Sequence, residues 1–289
     1  MLNNPLIIGK NGQLGRALVQ LMPHANAIDS DELDLTLIEL IPQTIASFKP
    51  TIVFNAAAYT AVDKAEEEEP MAHLINAEAP AVMAALCAVK KIPLVHYSTD
   101  YVFNGKGDEA WSEDNTADPL NAYGHGKLRG EDLIVKSDAD HMIFRTSWVY
   151  DAYGKNFVNT MLRLAKEREE LSVVNDQIGC PTYAPHLAAA SLKAVENAAK
   201  SARFPSGIYH LGGGGEPVSW HGFAEAIFEA YEGDLKIEKV NPILTRDYPT
   251  PAKRPLNSRL NCSKAEDILG IEMPDWRDGL DECLKELKA

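Results

Sequence analysis

The sequence is short of basic residues and lacks any long uninterrupted apolar run. Its 289 residues include 28 Lys and Arg against 42 Asp and Glu, which gives a formal net charge of −14. This balance argues against a nucleic-acid backbone as the main partner, because phosphate binding requires a surplus of Lys and Arg. No stretch of about 18 uncharged apolar residues is present, so no membrane span is predicted.

Cysteine and histidine motifs are also lacking. The four cysteines, Cys87, Cys180, Cys262 and Cys283, are scattered without a CxxC pair, and the eight histidines are dispersed without an HExxH motif. No metal site and no catalytic histidine are therefore predicted. The scattered thiols, together with the lack of a basic segment before the apolar run at residues 6–8, indicate a reducing, cytoplasmic location.

Short apolar segments alternate with helical patterns through the first half of the chain. Strands are predicted over residues 5–8, 27–28, 51–55, 94–98 and 142–145, and helices over residues 13–22, 71–90 and 123–136. This alternation favours right-handed βαβ units and a parallel sheet. Because the strands are almost continuously apolar, both faces of the sheet should be covered. The predicted fold class is α/β, with a Rossmann-type doubly wound parallel sheet.

The pattern changes after about residue 150. The later elements are shorter, prolines become frequent, and four consecutive glycines occupy residues 212–215. This change predicts a second, smaller and partly interleaved C-terminal α/β domain. A dinucleotide-binding domain is predicted at 1–152 and 184–214, and the second domain at 153–183 and 215–289.

A glycine-rich turn follows the first predicted strand and opens the first helix. Gly9, Gly12 and Gly15 have GxxGxxG spacing, which departs from the commoner GxGxxG of dinucleotide-binding turns. Such glycines let the backbone approach a pyrophosphate, which the N–H groups and dipole of the helix N-terminus then hold. Asp29 ends the second strand, where a carboxylate can accept hydrogen bonds from ribose hydroxyls and favours NAD over NADP. An ordinary turn aspartate is an equally good interpretation.

Tyr123 and Lys127 lie four residues apart, which puts both side chains on one face of a helix. An ammonium beside a phenol lowers the pKa of the phenol and fits it for acid–base work. The pair alone is weak evidence. It gains weight because Ser98, Thr99 and Asp100 end a predicted parallel strand, at the sheet edge where α/β proteins bind ligands.

Five longer stretches carry a family resemblance, namely residues 55–66 (NAAAYTAVDKAE), 97–103 (YSTDYVF), 144–150 (FRTSWVY), 175–182 (NDQIGCPT) and 254–258 (RPLNS). With the glycine turn and the YxxxK pair, they resemble the dTDP-4-dehydrorhamnose reductases of the extended short-chain dehydrogenase/reductase superfamily. The resemblance covers nearly the whole chain. It implies reduction of the C4 keto group of dTDP-4-dehydro-L-rhamnose by NADPH or NADH, in dTDP-rhamnose and O-antigen carbohydrate biosynthesis. The second domain would then bind the sugar nucleotide.

The resemblance also implies roles for the matching positions. Tyr123 is the implied proton donor, with Lys127 beside it on the nicotinamide ribose and Thr99 at the sugar C4 oxygen. Cofactor binding is implied for Gly9, Asn11, Gly12, Gln13, Leu14, Asp29, Asp34, Leu35, Ala56, Ala57, Ala58, Tyr59, Thr60, Tyr123 and Lys127. Substrate binding is implied for Thr99, Asp100, Trp148, Asn156, Gln177, Arg254 and Asn257.

Two positions depart from the family pattern. Gly126 replaces a hydroxyl residue that is common before the lysine, and Tyr59 stands where a histidine is often found. Some family members are associated with Mg²⁺, but no carboxylate cluster here is assigned as its site. The four glutamates at residues 66–69 are interpreted as a solvated helix face, because adjacent helical residues do not converge on one point.

Other functions stay open at this point. An epimerase or dehydratase of another nucleotide sugar is one, although a 4,6-dehydratase would want Asp-Glu after the strand-end hydroxyl, and here Asp100 is followed by Tyr101. A non-catalytic dinucleotide-binding subunit resembling the β subunit of methionine adenosyltransferase is another. Trp148 as a core aromatic and Arg254 as a surface ion pair also stay open. The predicted partner is a dTDP-sugar, with no nucleic acid or membrane, and a homodimer is compatible with the sequence.

Overall fold

A parallel sheet lies at the centre of the computed structural model, which describes residues 1–288. The strands are β1 (Pro5–Ile8), β2 (Asn26–Ile28), β3 (Ile52–Asn55), β4 (Leu94–Thr99), β5 (His141–Thr146), β6 (Val149–Tyr150), β7 (Glu170–Val174), β8 (Ile178–Gly179), β9 (Thr182–Tyr183), β10 (Gly207–His210), β11 (Val218–Ser219), β12 (Lys239–Ile243) and β13 (Asn257–Ser258). Six of them form the central sheet in the order β10-β5-β4-β3-β1-β2, and all of its pairs are parallel.

Helices connect these strands and cover the sheet. They are α1 (Gln13–Leu21), α2 (Ile41–Phe48), α3 (Val62–Ala65), α4 (Glu69–His73), α5 (Ala79–Lys90), α6 (Ala122–Val135), α7 (Phe157–Glu167), α8 (Ala184–Ala198), α9 (Trp220–Ala230), α10 (Ser263–Leu269) and α11 (Trp276–Glu286). A π-helical segment, Leu74–Glu78, joins α4 to α5, and a 3₁₀ turn, Asp100–Val102, follows β4.

Both faces of the central sheet are buried. On one face, Leu18 of α1 and Leu187 of α8 pack with Phe54 of β3 in a single apolar cluster. On the other face, Ile45 of α2 and Met83 of α5 belong to a second cluster. Helices on both sides of a parallel sheet are the doubly wound arrangement. The predicted α/β Rossmann-type fold is therefore confirmed.

The helix that runs over Glu69–Lys90 is long and apolar enough, by length and composition alone, to cross a membrane. In the fold, this apolar surface is used for packing. Ala79, Met83 and Cys87 are fully buried in the second cluster, and 44% of the most apolar window of the helix is buried inside the protein. The composition of this segment thus suits a core helix that flanks a sheet.

A third apolar cluster lies outside the central sheet. It joins Val158 of α7, Phe223 of α9 and Trp276 of α11, which are all buried. Three small sheets adjoin it: one pairs β12 with β7, one pairs β6 with β9, and the third has the order β11-β8-β13. Most of this cluster comes from the later part of the chain. The domain boundaries drawn from the sequence stay a prediction.

Candidate active site

A cleft of about 560 Å³ opens at the carboxyl ends of the central strands. This edge is where open parallel sheets bind ligands. The structure brings most of the predicted cofactor residues to this cleft. Those that line it are Gly9, Asn11, Gly12, Gln13, Leu14, Asp29, Asp34, Leu35, Ala56, Ala57, Ala58, Thr60, Tyr123 and Lys127.

The glycine turn joins β1 to α1 at the floor of the cleft. Gly9 has a φ of +91°, and a Cβ there would lie 2.7 Å from the backbone nitrogen of Ala57. A Cβ on Gly15 would lie 1.8 Å from the carbonyl oxygen of Gly9, so the helix packs on the turn itself. Gly12 is the N-cap of α1 and makes no side-chain cap. The first N–H groups of α1 therefore lack partners within the helix and can bind an anion.

Asp29 lies at the end of the cleft beside the glycine turn. Its carboxylate accepts hydrogen bonds from the backbone N–H groups of Asn11 and Ser30, each over 2.8 Å. The ammonium of Lys10 is paired nearby with Glu32. Glu32 also accepts the backbone N–H of Asp29, over 2.9 Å. Glu32 thus links the backbone of Asp29 to the ammonium of Lys10.

The catalytic candidates come from the end of β4 and the start of α6. Asn121 caps α6, because its Oδ1 accepts the N–H of Gly124 over 2.8 Å. A Cβ on Gly124 would lie 2.3 Å from the carbonyl oxygen of Tyr101, so α6 begins in close contact with the 3₁₀ turn after β4. The ring of Tyr123 meets the ring of Tyr101 edge-on, with centroids 5.7 Å apart. Tyr123 is thereby held beside Thr99.

The phenol of Tyr123 is a weak acid in this setting. Burial raises its pKa to about 12, the charge of Asp100 adds to the rise, and the nearby hydroxyl of Thr99 acts to lower it. The expectation that Lys127 lowers the pKa of this phenol is therefore wrong for this structure. Lys127 Nζ donates instead to the carbonyl oxygen of Tyr97 over 2.6 Å. Burial lowers the pKa of Lys127 to about 8, against a smaller rise from Glu131.

Asp100 is a buried carboxyl group next to Thr99. Thr99 Oγ1 donates to its Oδ1 over 3.0 Å, and Ser258 Oγ donates to its Oδ2. Burial raises the pKa of Asp100 to about 6, although both hydroxyl groups act to lower it. Ser258 was not expected in the site from the sequence.

None of the seven predicted substrate residues belongs to the lining of the cleft, and the last four have partners elsewhere in the protein. The Asn156 side chain caps α7 and donates to Gln13 Oε1 over 3.0 Å. Gln177 donates to Thr245, and Asn257 donates to the carbonyl oxygen of Glu109. Arg254 forms an ion pair with Asp63, with Nη2 and Oδ2 2.7 Å apart. A substrate role for these four residues stays a prediction.

Trp148 has a strained backbone and a stacked side chain. Its φ of +50° lies in the left-handed region, where non-glycine residues are uncommon. Its ring stacks on Trp220 with centroids 3.6 Å apart, and Gly179 lies against the ring edge. Trp148 is only partly buried, unlike a core aromatic residue. Trp220 was not singled out from the sequence, because its stacking partner is 72 residues away.

The glutamate run at residues 66–69 makes specific contacts. Glu66 Oε1 accepts the N–H of Ala122 over 2.8 Å, at the start of α6. Glu68 accepts the phenol of Tyr59, which raises the pKa of Tyr59 to about 12. Tyr59 is therefore turned away from the cleft that its neighbours line. Among residues 1–288, no three His, Cys, Asp or Glu side chains lie together as a metal site.

Comparison with known proteins places this geometry in a family. The family model described as the RmlD substrate binding domain matches residues 4–289. A dTDP-4-dehydrorhamnose reductase from Shigella flexneri is 44% identical over 294 residues, covering 98% of each chain. The chain belongs to the dTDP-4-dehydrorhamnose reductase family. As a member of this reductase family, it is an oxidoreductase, as predicted.

Solved structures agree with this membership. A Bacillus anthracis dTDP-4-dehydrorhamnose reductase, in complex with NADP, has a TM-score of 0.91 and 36% identity, covering 99% of this chain and 100% of its own. The Bordetella bronchiseptica enzyme WbmG, in complex with NAD and UDP, has a TM-score of 0.77 at 17% identity, covering 98% and 94%. The second likeness concerns the fold alone.

Proposed function

We propose that this protein reduces the C4 keto group of dTDP-4-dehydro-L-rhamnose to give dTDP-L-rhamnose, with NADPH or NADH as the reductant. The observation that carries the proposal is that Tyr123 and Lys127 line the cleft, with Thr99 beside Tyr123, in a chain of this reductase family. A retained site in a family member supports turnover more directly than the fold does.

The residues of the cleft fit a dinucleotide. The unpartnered N–H groups at the start of α1 suit the pyrophosphate, and the turn at Gly9 leaves no room for a side chain. Asp29 suits the hydroxyl groups of the adenosine ribose. Leu35 and Ala57 offer apolar surface along the same cleft. The bound reduced nicotinamide supplies the hydride.

Tyr123 provides the proton. With a pKa of about 12, its phenol is protonated at neutral pH, which is the form that a reductase requires. Negative charge that develops on the C4 oxygen would strengthen the hydrogen bonds donated by Tyr123 and Thr99 and promote transfer of the phenolic proton. Lys127 would orient the nicotinamide ribose with its ammonium.

The substrate side of the site draws on residues from both predicted domains. Asp100 and Trp148 are assigned to the sugar nucleotide, with Asn156, Gln177, Arg254 and Asn257 as further contacts. The second domain, at 153–183 and 215–289, would hold the dTDP group against the cofactor domain. A cytoplasmic location and a homodimer also stay predictions.

Loss of absorbance at 340 nm tests the proposal. Purified protein is given NADPH or NADH and dTDP-4-dehydro-L-rhamnose made in situ by the upstream enzymes. Rapid oxidation is expected, and Tyr123→Phe should lose about 10²–10⁴-fold in kcat. Tyr231→Phe, a change in the third apolar cluster, is the matched control and should keep full activity. Tight cofactor binding without oxidation would favour a regulatory subunit or a different sugar instead.

A further inference from the structure

His96 is a buried histidine directly beneath the cleft. It lies in β4, three residues before Thr99, and only 1% of it is exposed. Its Nε2 lies 3.2 Å from Nζ of Lys127. His96 takes no part in the proposed sugar reduction, and a single histidine within an apolar strand would ordinarily be interpreted as a core residue.

Lys127 is held without a carboxylate partner. Its side chain is also 1% exposed, and within residues 1–288 its polar contacts are the carbonyl oxygen of Tyr97 and the His96 ring. Glu131, one helical turn further along α6, is paired instead with Arg145 over 2.6 Å. A buried ammonium needs acceptors for its three N–H groups. Two of them face β4, which leaves one for the cleft.

The other side of the imidazole faces Asn55 in β3. Asn55 Nδ2 lies 3.0 Å from His96 Nδ1, while Asn55 Oδ1 is buried without a partner. If Nε2 accepts from Lys127, Nδ1 carries the proton and requires an acceptor. A 180° rotation of the amide exchanges its oxygen and nitrogen and brings Oδ1 to Nδ1. Asn55 and Lys127, at the two ends of this chain of contacts, both line the cleft.

We propose that His96 is a positioning residue for Lys127, with neutral imidazole accepting the ammonium at Nε2 and donating from Nδ1 to Asn55. The chain Asn55–His96–Lys127 then fixes the ammonium where the third N–H points to a cofactor ribose. This role rests on the proposed function, because it assigns Lys127 to the cofactor.

The charges around His96 agree with a neutral ring. Burial holds its pKa well below the usual range, and the charge of Lys127 lowers it further. The strand residues in register with His96 are Asn55 in β3 and Ile143 in β5, and neither of them titrates. Lys127 is the cation that faces it from α6. A neutral acceptor is thus available to Lys127 throughout the physiological pH range.

Fluorescence titration with NADH, without any sugar, tests the role. NADH is chosen because it lacks the 2′-phosphate of NADPH, and a phosphate monoester titrates near pH 6. Affinity that depends on the Lys127 ammonium is present below the pKa of Lys127 and is lost as pH rises through about 8. In His96→Leu, the midpoint of this loss should fall by about one pH unit or more, because the ammonium loses an acceptor. In His96→Gln, whose Oε1 can replace Nε2, the midpoint should stay within about 0.3 unit.

The proposal would be overturned if the parent and His96→Leu lost NADH affinity at the same pH midpoint. It would also be overturned if the midpoint of His96→Gln were lowered as much as that of His96→Leu. A merely structural role would lower the melting temperature of both variants without moving the midpoint. Because no sugar is present, failure of the proposed sugar reduction would leave this result unaffected.

Nitrogen-15 NMR of the parent protein gives a second test that needs no folded variant. The histidine nitrogens are correlated through bonds to the ring protons. His96 should show an unprotonated Nε2, a protonated Nδ1 and no titration between pH 5.5 and 8. A protonated Nε2 at pH 7, or titration near pH 6.5, would contradict the assignment.

Discussion

Ser258 Oγ donates a hydrogen bond to Asp100 Oδ2 over 2.5 Å and thereby joins β13 to the end of β4. The two residues are 158 positions apart in the sequence. Asp100 is 2% exposed, and its other oxygen accepts the hydroxyl of Thr99. The contact therefore ties a strand of the later part of the chain to the candidate catalytic residues.

The raised pKa of Asp100 should make stability depend on pH. Burial raises this pKa from 3.8 to about 6, so the folded state binds the proton more tightly than the unfolded state does. The stabilising contribution is present below about pH 4 and is lost as pH rises through 6. Relative to Asp100→Asn, the free energy of unfolding of the parent should fall by about 2–3 kcal/mol between pH 4 and pH 7.

Urea unfolding at a series of pH values measures this difference. A constant effect of the Asn side chain cancels, because only the change with pH is compared. Asp247→Asn, at an exposed position, is the control and should follow the parent. A difference between the parent and Asp100→Asn that stays level across this range would mean that Asp100 is not protonated in the folded protein near pH 5.

The kcat should depend on the hydroxyl of Thr99 more than on its methyl group. It donates to Asp100 and acts to lower the pKa of Tyr123. In Thr99→Val, the phenol becomes a still weaker acid and the C4 oxygen loses a donor, so kcat should fall about 10–100-fold. Thr99→Ser keeps the hydroxyl and should retain kcat within about threefold. If steady-state kinetics give both variants the same kcat, the hydroxyl has no part in the reaction.

Much of the fold follows from short-range patterns. The continuous apolar run at residues 5–8 predicts β1 with its observed bounds, and the helix predicted over 13–22 is α1, Gln13–Leu21. Elements that depend on distant partners were not predicted. Gly179 and Thr182, for example, belong to the short strands β8 and β9, which pair with β13 and β6. Two-residue strands of this kind have no periodicity to detect.

The residues of the site also fall into those that a local pattern predicts and those that depend on distant partners. Tyr123 and Lys127 are close in sequence and share a helix, so their spacing could be interpreted directly. Ser258 and Trp220 come to the site only through folding, and no local pattern marks them. The orientation of Lys127 could not be predicted either, because the groups that hold it, the Tyr97 carbonyl and His96, belong to β4 and not to its own helix.

Alanine substitutions at two glycines of the first turn should have different effects, one on stability and the other on cofactor binding. A Cβ on Gly15 would lie 1.8 Å from the Gly9 oxygen, whereas a Cβ on Gly12 would lie 3.4 Å from it. Gly15→Ala must displace α1 and should cost about 3 kcal/mol or more of unfolding free energy. Gly12→Ala should fold with a loss of about 1 kcal/mol or less, but its methyl group stands at the predicted anion site, so the Kd for NADH should rise about tenfold.

Urea unfolding and NADH titration on the same samples separate these two effects. The prediction for Gly12 is contradicted if its alanine variant binds NADH as the parent does. A Gly15→Ala protein of parental stability would show that α1 does not pack against the turn as described.

Arg254 and Asp63 should act as one unit. Arg254 donates from Nη2 to Oδ2 over 2.7 Å and from Nη1 to Oδ1 over 3.0 Å, and the N–H of Ala252 also donates to Asp63. If Arg254 binds the substrate, Asp63 orients it. Arg254→Ala should then raise the KM for the sugar nucleotide about tenfold, and Asp63→Asn should raise it less. The double variant should be no worse than Arg254→Ala, because coupled residues are not additive.

Stability distinguishes this coupling from a purely structural pair. The side chain of Asp63 is 41% exposed and that of Arg254 is 23% exposed. The ion pair should therefore contribute about 1 kcal/mol or less to the free energy of unfolding. Arg254→Lys keeps the charge but cannot make the two-pronged contact, and it should resemble Arg254→Ala in KM. The fold increases in KM caused by Arg254→Ala and by Asp63→Asn can be compared with the increase in the double variant. If the two single increases multiply to give the increase in the double variant, the two residues act independently. Parental KM values in all three variants would remove Arg254 from the substrate site and leave it as a surface ion pair.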